Sequence, residues 1–275
     1  MSNFTDFIGG SGGGSLPVNI VLTTSQTWVP PADGNICIHV IGGGGGAISH
    51  HATRVGGGAG GYCKKNSLAV TTSGSFTVVV GAGGAGTTNT SSANNGGNST
   101  VAGTGLSSTL TANGGDGSTT AGNGGAGGTS QNGDVNNTGG AGNNYGGGAV
   151  GFYGTGQAAG NGVGTIMSGQ TDASAAGLES LAGYGYLFGG TAKPFAYTAN
   201  FTEYSNSDMT TQDGGLFCGG ASIRVRGNST QYNYVKGGNG GLGGGAGGAQ
   251  NDGAASVAFG GHGGNGVVVI QYLPA

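Results

Sequence analysis

Gly260-Gly261-His262-Gly263-Gly264-Asn265-Gly266 repeats two glycines and one larger residue, then runs straight into Val267-Val268-Val269-Ile270-Gln271-Tyr272. The same period recurs in Gly122-Asn123-Gly124-Gly125-Ala126-Gly127-Gly128 and in Gly237-Gly238-Asn239-Gly240-Gly241-Leu242-Gly243-Gly244. Three residues per turn is the repeat of a polyproline-II-type helix, which rises about 3.1 Å per residue and makes no hydrogen bonds within itself. Its amides and carbonyls point outward. Glycine at two of every three positions lets neighbouring backbones approach closely enough to bond them, while the third position projects a side chain away. A bundle of extended polyglycine-II-type segments follows. Collagen shares the period but is excluded, because the repeat breaks often and the chain holds 5 prolines.

Working outward, the apolar strand after residue 266 has a counterpart near the other end of the chain. Ile36, Ile38 and Val40 alternate with Cys37, His39 and Ile41 and lead into Gly42-Gly43-Gly44-Gly45-Gly46. Val18, Ile20 and Leu22 alternate in the same way ahead of the Pro30-Pro31-Ala32-Asp33-Gly34 turn, and Trp28 beside that turn is placed to cap a small core. Residues 62–81 read as a hairpin, with Tyr62 to Thr71 turning at Thr72-Ser73-Gly74 into a strand carrying Phe76, Val78 and Val80 on one face. Ser99 to Val101 and Ser108 to Ala112 are shorter strands. The fold expected is all-β: a small β-sandwich of N- and C-terminal strands, bundled polyglycine-II-type segments, and long glycine-rich loops.

Composition narrows the function. Glycine supplies 72 of 275 residues, and Leu, Ile, Val and Phe together supply only 48. So thin an apolar core is typical of disordered chains, but those also carry high net charge. Here 7 Lys and Arg against 10 Asp and Glu leave −3. That balance speaks against nucleic-acid binding, and no apolar run reaches the roughly 18 residues of a membrane helix. Cys37, Cys63 and Cys218 are too scattered for a disulfide framework and read as small apolar side chains in or beside strands.

The chain divides into four parts. Residues 1–15 form an arm in which Phe4, Phe7 and Ile8 precede a flexible glycine tract, the pattern of an anchor that docks into something larger. Residues 16–148 and 236–275 are the two parts of the glycine-rich β domain. Between them, residues 149–235 hold 12 of the 19 Phe and Tyr, which a Gly-Gly-X bundle cannot use. This aromatic insert reads either as a local core or as a binding surface. In the second reading Tyr184, Tyr186, Tyr197, Tyr204, Arg224 and Arg226 meet the partner, because rigid rings stack on sugar faces at little entropic cost. Asp172 to Leu181 is a candidate short helix, and Ala221 to Gly227 is expected to pair with Thr230 to Val235 through Gly227-Asn228-Ser229.

Catalytic patterns are weak. Val80-Gly81-Ala82-Gly83-Gly84-Ala85-Gly86 carries the G-x-G-x-x-G spacing after a strand, but Thr87 to Gly96 is a poor helix former and no acid follows at the ribose position. Nucleotide binding is therefore not expected. His50-His51 has no Cys, Asp or Glu at ligand spacing, so no metal is assigned. Glu179 and Glu203 are the two glutamates, and nothing in their spacing marks a glycosidase pair. The expectation is a non-enzyme without cofactor.

Leu22-Thr23-Thr24-Ser25-Gln26-Thr27-Trp28-Val29-Pro30, the run from Ile36 to Gly46, Gly60-Gly61-Tyr62-Cys63-Lys64-Lys65, the run from Phe76 to Gly84, and the run from Gly263 to Tyr272 together resemble the glycine-rich domain of phage tail proteins. The resemblance covers roughly residues 20–272 outside the aromatic insert. In composition the chain is also similar to the polyglycine-helix adhesins at the tips of T-even-like phage tail fibres. The resemblance implies a virion protein of the tail, a tail fibre or tail-tip adhesin that binds the host surface. Its implied partners are other virion proteins or copies of itself, in a homo-oligomer, and a host glycan or outer-membrane protein. Met1 to Gly10 lacks the features of a signal peptide, in keeping with assembly in the host cytoplasm. The alternatives are a purely structural decoration or filament-forming protein and an ice-binding protein. The mixed Asn, Ala, Leu and His at the third positions do not make the regular array that ice binding needs.

Overall fold

Alternating apolar residues at the two ends of the chain find each other. The structure, a computed structural model, describes residues 19–50, 55–88, 92–119, 123–143, 146–156, 158, 199–200, 208–210, 213–220, 222–226, 232–252 and 255–273. Strand β18 (Val267–Tyr272) lies antiparallel between β1 (Asn19–Leu22) and β3 (Gly34–Ile41), with Tyr272 opposite Ile36 and Val267 opposite Ile41. β5 (Tyr62–Val70) and β11 (Val135–Asn137) complete this first sheet, in the order β1-β18-β3-β5-β11. A second antiparallel sheet runs β10-β9-β8-β6-β2, from β2 (Gln26–Trp28), β6 (Phe76–Val79), β8 (Ser99–Gly103), β9 (Leu110–Ala112) and β10 (Ser130–Gln131).

The two sheets enclose one core. Ile36, Ile38, Val40, Val268 and Ile270 from the first meet Phe76, Val78, Val101 and Leu110 from the second, all at most 1% exposed. Trp28 closes one side with its ring centroid 5.4 Å from that of Phe76. The sandwich and the period-two faces are as the alternation predicts. The expected 62–81 hairpin is not formed: β5 pairs with β3 and β11, and β6 with β2 and β8. The Thr71–Gly74 turn carries the chain from one sheet to the other, since both Leu68 and Phe76 must face the space between them.

Beyond the sandwich the glycine segments pack as parallel rods. In residues 42–47 successive amides donate to three different neighbours and return to each after three residues. Gly42 and Gly45 bond to the carbonyls of Gly61 and Gly58, Gly43 and Gly46 to those of Gly97 and Asn94, and Gly44 and Ala47 to those of Gly264 and Gly261, at 2.8–3.1 Å. The carbonyls follow the same rule. Those of Gly43 and Gly46 accept from Gly115 and Ser118, those of Gly44 and Ala47 from Gly84 and Thr87, and that of Gly45 from Ala246. Six segments therefore surround this one, as in a hexagonal array of threefold helices.

Residues 56–61 repeat the arrangement. Their amides reach Asn143 and Gly140, Ala246 and Gly243, and Asp116 and Asn113, and their carbonyls accept from Gly125 and Gly128, from Gly148, and from Gly45 and Gly42. Interior and edge segments differ in burial. Residues 42–47, 55–61 and 243–248 are buried throughout, whereas residues 81–86 and 123–128 repeat buried, exposed and half-buried positions every three residues. The close approach is the reason for glycine: a Cβ on Gly44, Gly45, Gly57 or Gly58 would stand within 3.0 Å of a neighbouring carbonyl, which real Cβ atoms essentially never do.

Chain direction alternates through this lattice. Residues 42–47 leave the sandwich, 55–61 return to it, and the pattern continues. At the far end the outgoing segments extend into β4 (Ile48–His50), β7 (Thr87–Thr88), β14 (Ile223–Arg226) and β16 (Ala249–Asp252), which join β12 (Ala199–Asn200) in a parallel sheet ordered β12-β14-β16-β4-β7. β13 (Asp208–Thr210), β15 (Tyr232–Lys236) and β17 (Ala255–Phe259) form a second parallel sheet. Parallel pairing needs long crossovers, and here the lattice itself is the crossover. The expected pairing of 221–227 with 230–235 is therefore replaced: β14 and β15 run in opposite directions and belong to different sheets. At the near end the chain reverses at Gly243, whose φ of +70° and neighbours Ile41 and Val150 leave no room for a side chain.

Candidate functional site

Lattice geometry decides where chemistry is available. The backbone groups of the interior segments are committed to one another, and their residues carry no functional side chain. Connections 51–54, 89–91, 120–122, 144–145, 201–207, 227–231 and 253–254 all join elements whose described ends lie away from the sandwich. Ser92 bridges Thr119 there, the Ser118 hydroxyl accepts the Ile48 amide at 2.9 Å, and β16 lies between β14 and β4. The aromatic insert supplies β12 to β15, and so half of the two parallel sheets at this end. Arg224 and Arg226 fall on β14, in register with Gln250 and Asp252. Tyr184, Tyr186, Tyr197 and Tyr204 lie outside the described residues, as do Phe4, Phe7 and Ile8, the 172–181 segment, Glu179 and Glu203.

Two rings of the insert have a structural role. Phe152 packs edge-on against Tyr62 at 4.9 Å and against Phe217 at 4.8 Å, forming with Ile41, Val150 and Val267 a second small core on the outer face of the first sheet. Phe152 and Phe217 thus pack on the first sheet as well as on each other. Tyr153, next in sequence, is 74% exposed.

The outer face of the first sheet also carries a polar chain that the sequence did not single out. Tyr62 Oη lies 2.7 Å from His39 Nδ1, His39 Nε2 lies 3.0 Å from Gln271 Oε1, and Gln271 Nε2 donates to Asn19 Oδ1 at 2.7 Å. The amide oxygen accepts from Nε2–H, and in the neutral ring, the form that burial favours, Nδ1 accepts from the tyrosine hydroxyl. Burial lowers the His39 pKa, the Gln271 bond opposes this, and nearby Lys64 lowers it further. Cys37 Sγ stands 3.4 Å from His39 Nε2, the spacing of a thiol–imidazole pair. Burial pushes that thiol up, however, whereas a cysteine nucleophile needs a thiolate held down near neutrality. Cys63 is pushed up to about 11, again by burial, and all three cysteines are buried. The cluster ties β1, β18, β3 and β5 together.

A pH prediction follows from the lowered His39 value. The unfolded chain takes up a proton near 6.5, while the folded chain resists it. The stabilisation is complete above about 6.5 and is lost progressively as the pH falls from there toward the folded value. Melting temperatures of the wild type and His39→Gln between pH 7.5 and 5 should converge as the pH falls.

The G-x-G-x-x-G run is a lattice edge. The amides of Gly81, Gly83, Gly84 and Gly86 are taken by Ser99 Oγ, Asn265 Oδ1, the Gly44 carbonyl and His262 Nδ1. A phosphate cradle needs those same amides free. Among the described residues no group of three or more His, Cys, Asp or Glu is placed to hold a metal ion.

A family model described as a glycine-rich domain matches residues 19–273, nearly the whole chain and including the insert. No curated protein matches the sequence.

Proposed function

The chain belongs to the glycine-rich domain family, and from that premise we propose that it is a virion protein of a phage tail, a tail fibre or tail-tip adhesin without enzymatic activity. The observation that carries the proposal is that the described rod ends and the strands β12 to β15 gather at one end of a lattice whose interior segments carry no functional side chain. Binding loops on a rigid scaffold are the usual division of labour in recognition proteins. The sandwich and lattice hold the site rigid, the far-end connections with the aromatic insert meet a host glycan or outer-membrane protein, and residues 1–15 attach the domain to other virion proteins or to copies of itself. The protein is made in the host cytoplasm and resides in the tail.

Replacing residues 201–207 by a Gly/Ser linker of equal length keeps β12 and β13. Labelled variant is expected to lose attachment to intact host bacteria while melting within about 2 °C of the parent, because the exchange leaves every described element in place. Undiminished attachment would leave the purely structural reading, a decoration or filament protein. Deleting residues 1–10 should give a folded domain that fails to enter particles, and normal incorporation would remove the anchor.

A further inference from the structure

Edge segments of the lattice lack a full set of neighbours, and side chains take the missing places. In residues 113–118 the amides again point in three directions. Asn113 and Asp116 bond to the carbonyls of Thr129 and Ala126, and Gly115 and Ser118 to those of Gly43 and Gly46. In the third direction no described backbone supplies an acceptor: Gly114 donates to Asn98 Oδ1 at 2.9 Å and Gly117 to Asn95 Oδ1 at 2.8 Å. The two asparagines are three residues apart and so are the two amides they cap, so the side chains reproduce the repeat of an absent rod. Asn95 is held in place by its own amide donating to Asp116 Oδ1 at 3.0 Å.

The device recurs on separate edges. Asn265 and His262, again three apart, cap Gly83 and Gly86, at 2.8 and 3.1 Å. Asn239 Oδ1 caps the His262 amide, and Asp213 Oδ1 caps the Asn239 amide. Asn95, Asn98, His262 and Asn265 are exposed, so each cap is the outermost layer of its edge. We propose that these polar third-position residues are lattice terminators, which occupy the acceptor sites a further glycine rod would fill and so keep the lattices of two copies from merging edge to edge.

The logic is that of a protected sheet edge, transferred to a threefold rod. An uncapped row of amides at a regular spacing, lined by glycine, is a template for another copy. A capping side chain removes both the free amides and the room for close approach.

The test compares two double variants. Asn95→Gly with Asn98→Gly removes the caps and opens space for a backbone. Asn95→Ala with Asn98→Ala removes the caps but keeps a Cβ, which holds an approaching backbone off as a Cβ at Gly44 or Gly57 would. Amide exchange at Gly114 and Gly117 should quicken roughly tenfold in the Ala pair, as expected for a lost hydrogen bond. In sedimentation the Gly pair should shift to larger species as concentration rises, beyond the parent's own state, and the Ala pair should not. Equal behaviour of the two pairs, associated or not, would overturn the proposal. Parallel Gly and Ala pairs at His262 and Asn265 repeat the comparison on another edge, so a folding failure at one edge still leaves a decisive result.

Discussion

Gly44→Val and Gly263→Val are each expected to lower the melting temperature by roughly 10 °C or more, or to leave no folded protein. The Cβ of residue 44 would stand against the carbonyl of Gly244, and that of residue 263 against the carbonyl of Gly44. Neither obstacle is a flexible side chain that can swing aside. Each carbonyl belongs to a rod that is bonded to further rods, so relief of one contact breaks hydrogen bonds in several segments at once. Gly154→Ala is the matched control, because a Cβ there meets nothing within 4 Å, and its melting temperature should stay within about 2 °C of the parent. A thermal melt of the three variants checks both halves of the statement.

Phe76→Ala should be nearly as severe, by a different route. Phe76 is 1% exposed, packs against Trp28, and lies opposite both Trp28 and Gly103 across β2 and β8. A cavity of that size in a close-packed core costs about 3–5 kcal/mol. Few apolar residues are available to collapse into the gap, since glycine dominates the chain. The loss is measurable by denaturant titration as a shifted midpoint with an unchanged slope.

The period of three in the glycine segments and the period of two in the strands were both legible, because each reports which backbone directions are occupied. Gly-Gly-X with a polar X marks an edge rod: His262, Asn265 and Asn123 are exposed. The uninterrupted run Gly42 to Gly46 marks an interior rod, whose six neighbours leave no direction free for a polar side chain. That second rule was present in the sequence but is recognisable only once the hexagonal array is known. Strand partners were less legible. Proximity in sequence favoured β5 with β6 and β14 with β15, whereas the sandwich separates the first pair and opposite travel through the lattice separates the second. Of the candidate site, composition set residues 149–235 apart, but it did not say that β12 to β15 would fall at the far end. Nor could the packing of Phe152 and Phe217 on the first sheet be anticipated, since a ring that stacks on a ligand and a ring that fills a core look alike in sequence. The polar chain through His39 joins residues 19, 39, 62 and 271 by tertiary contact and leaves no local mark.

The lattice rests on one geometric statement, that consecutive amides of residues 42–47 donate to three different segments in rotation. Through-hydrogen-bond couplings in uniformly labelled protein read donor and acceptor directly. The expected correlations run from Gly42 and Gly45 to Gly61 and Gly58, from Gly43 and Gly46 to Gly97 and Asn94, and from Gly44 and Ala47 to Gly264 and Gly261. Correlations from alternate amides to a single neighbouring segment, as in a β-ladder, or rapid exchange of these amides with solvent, would contradict the polyglycine-II packing.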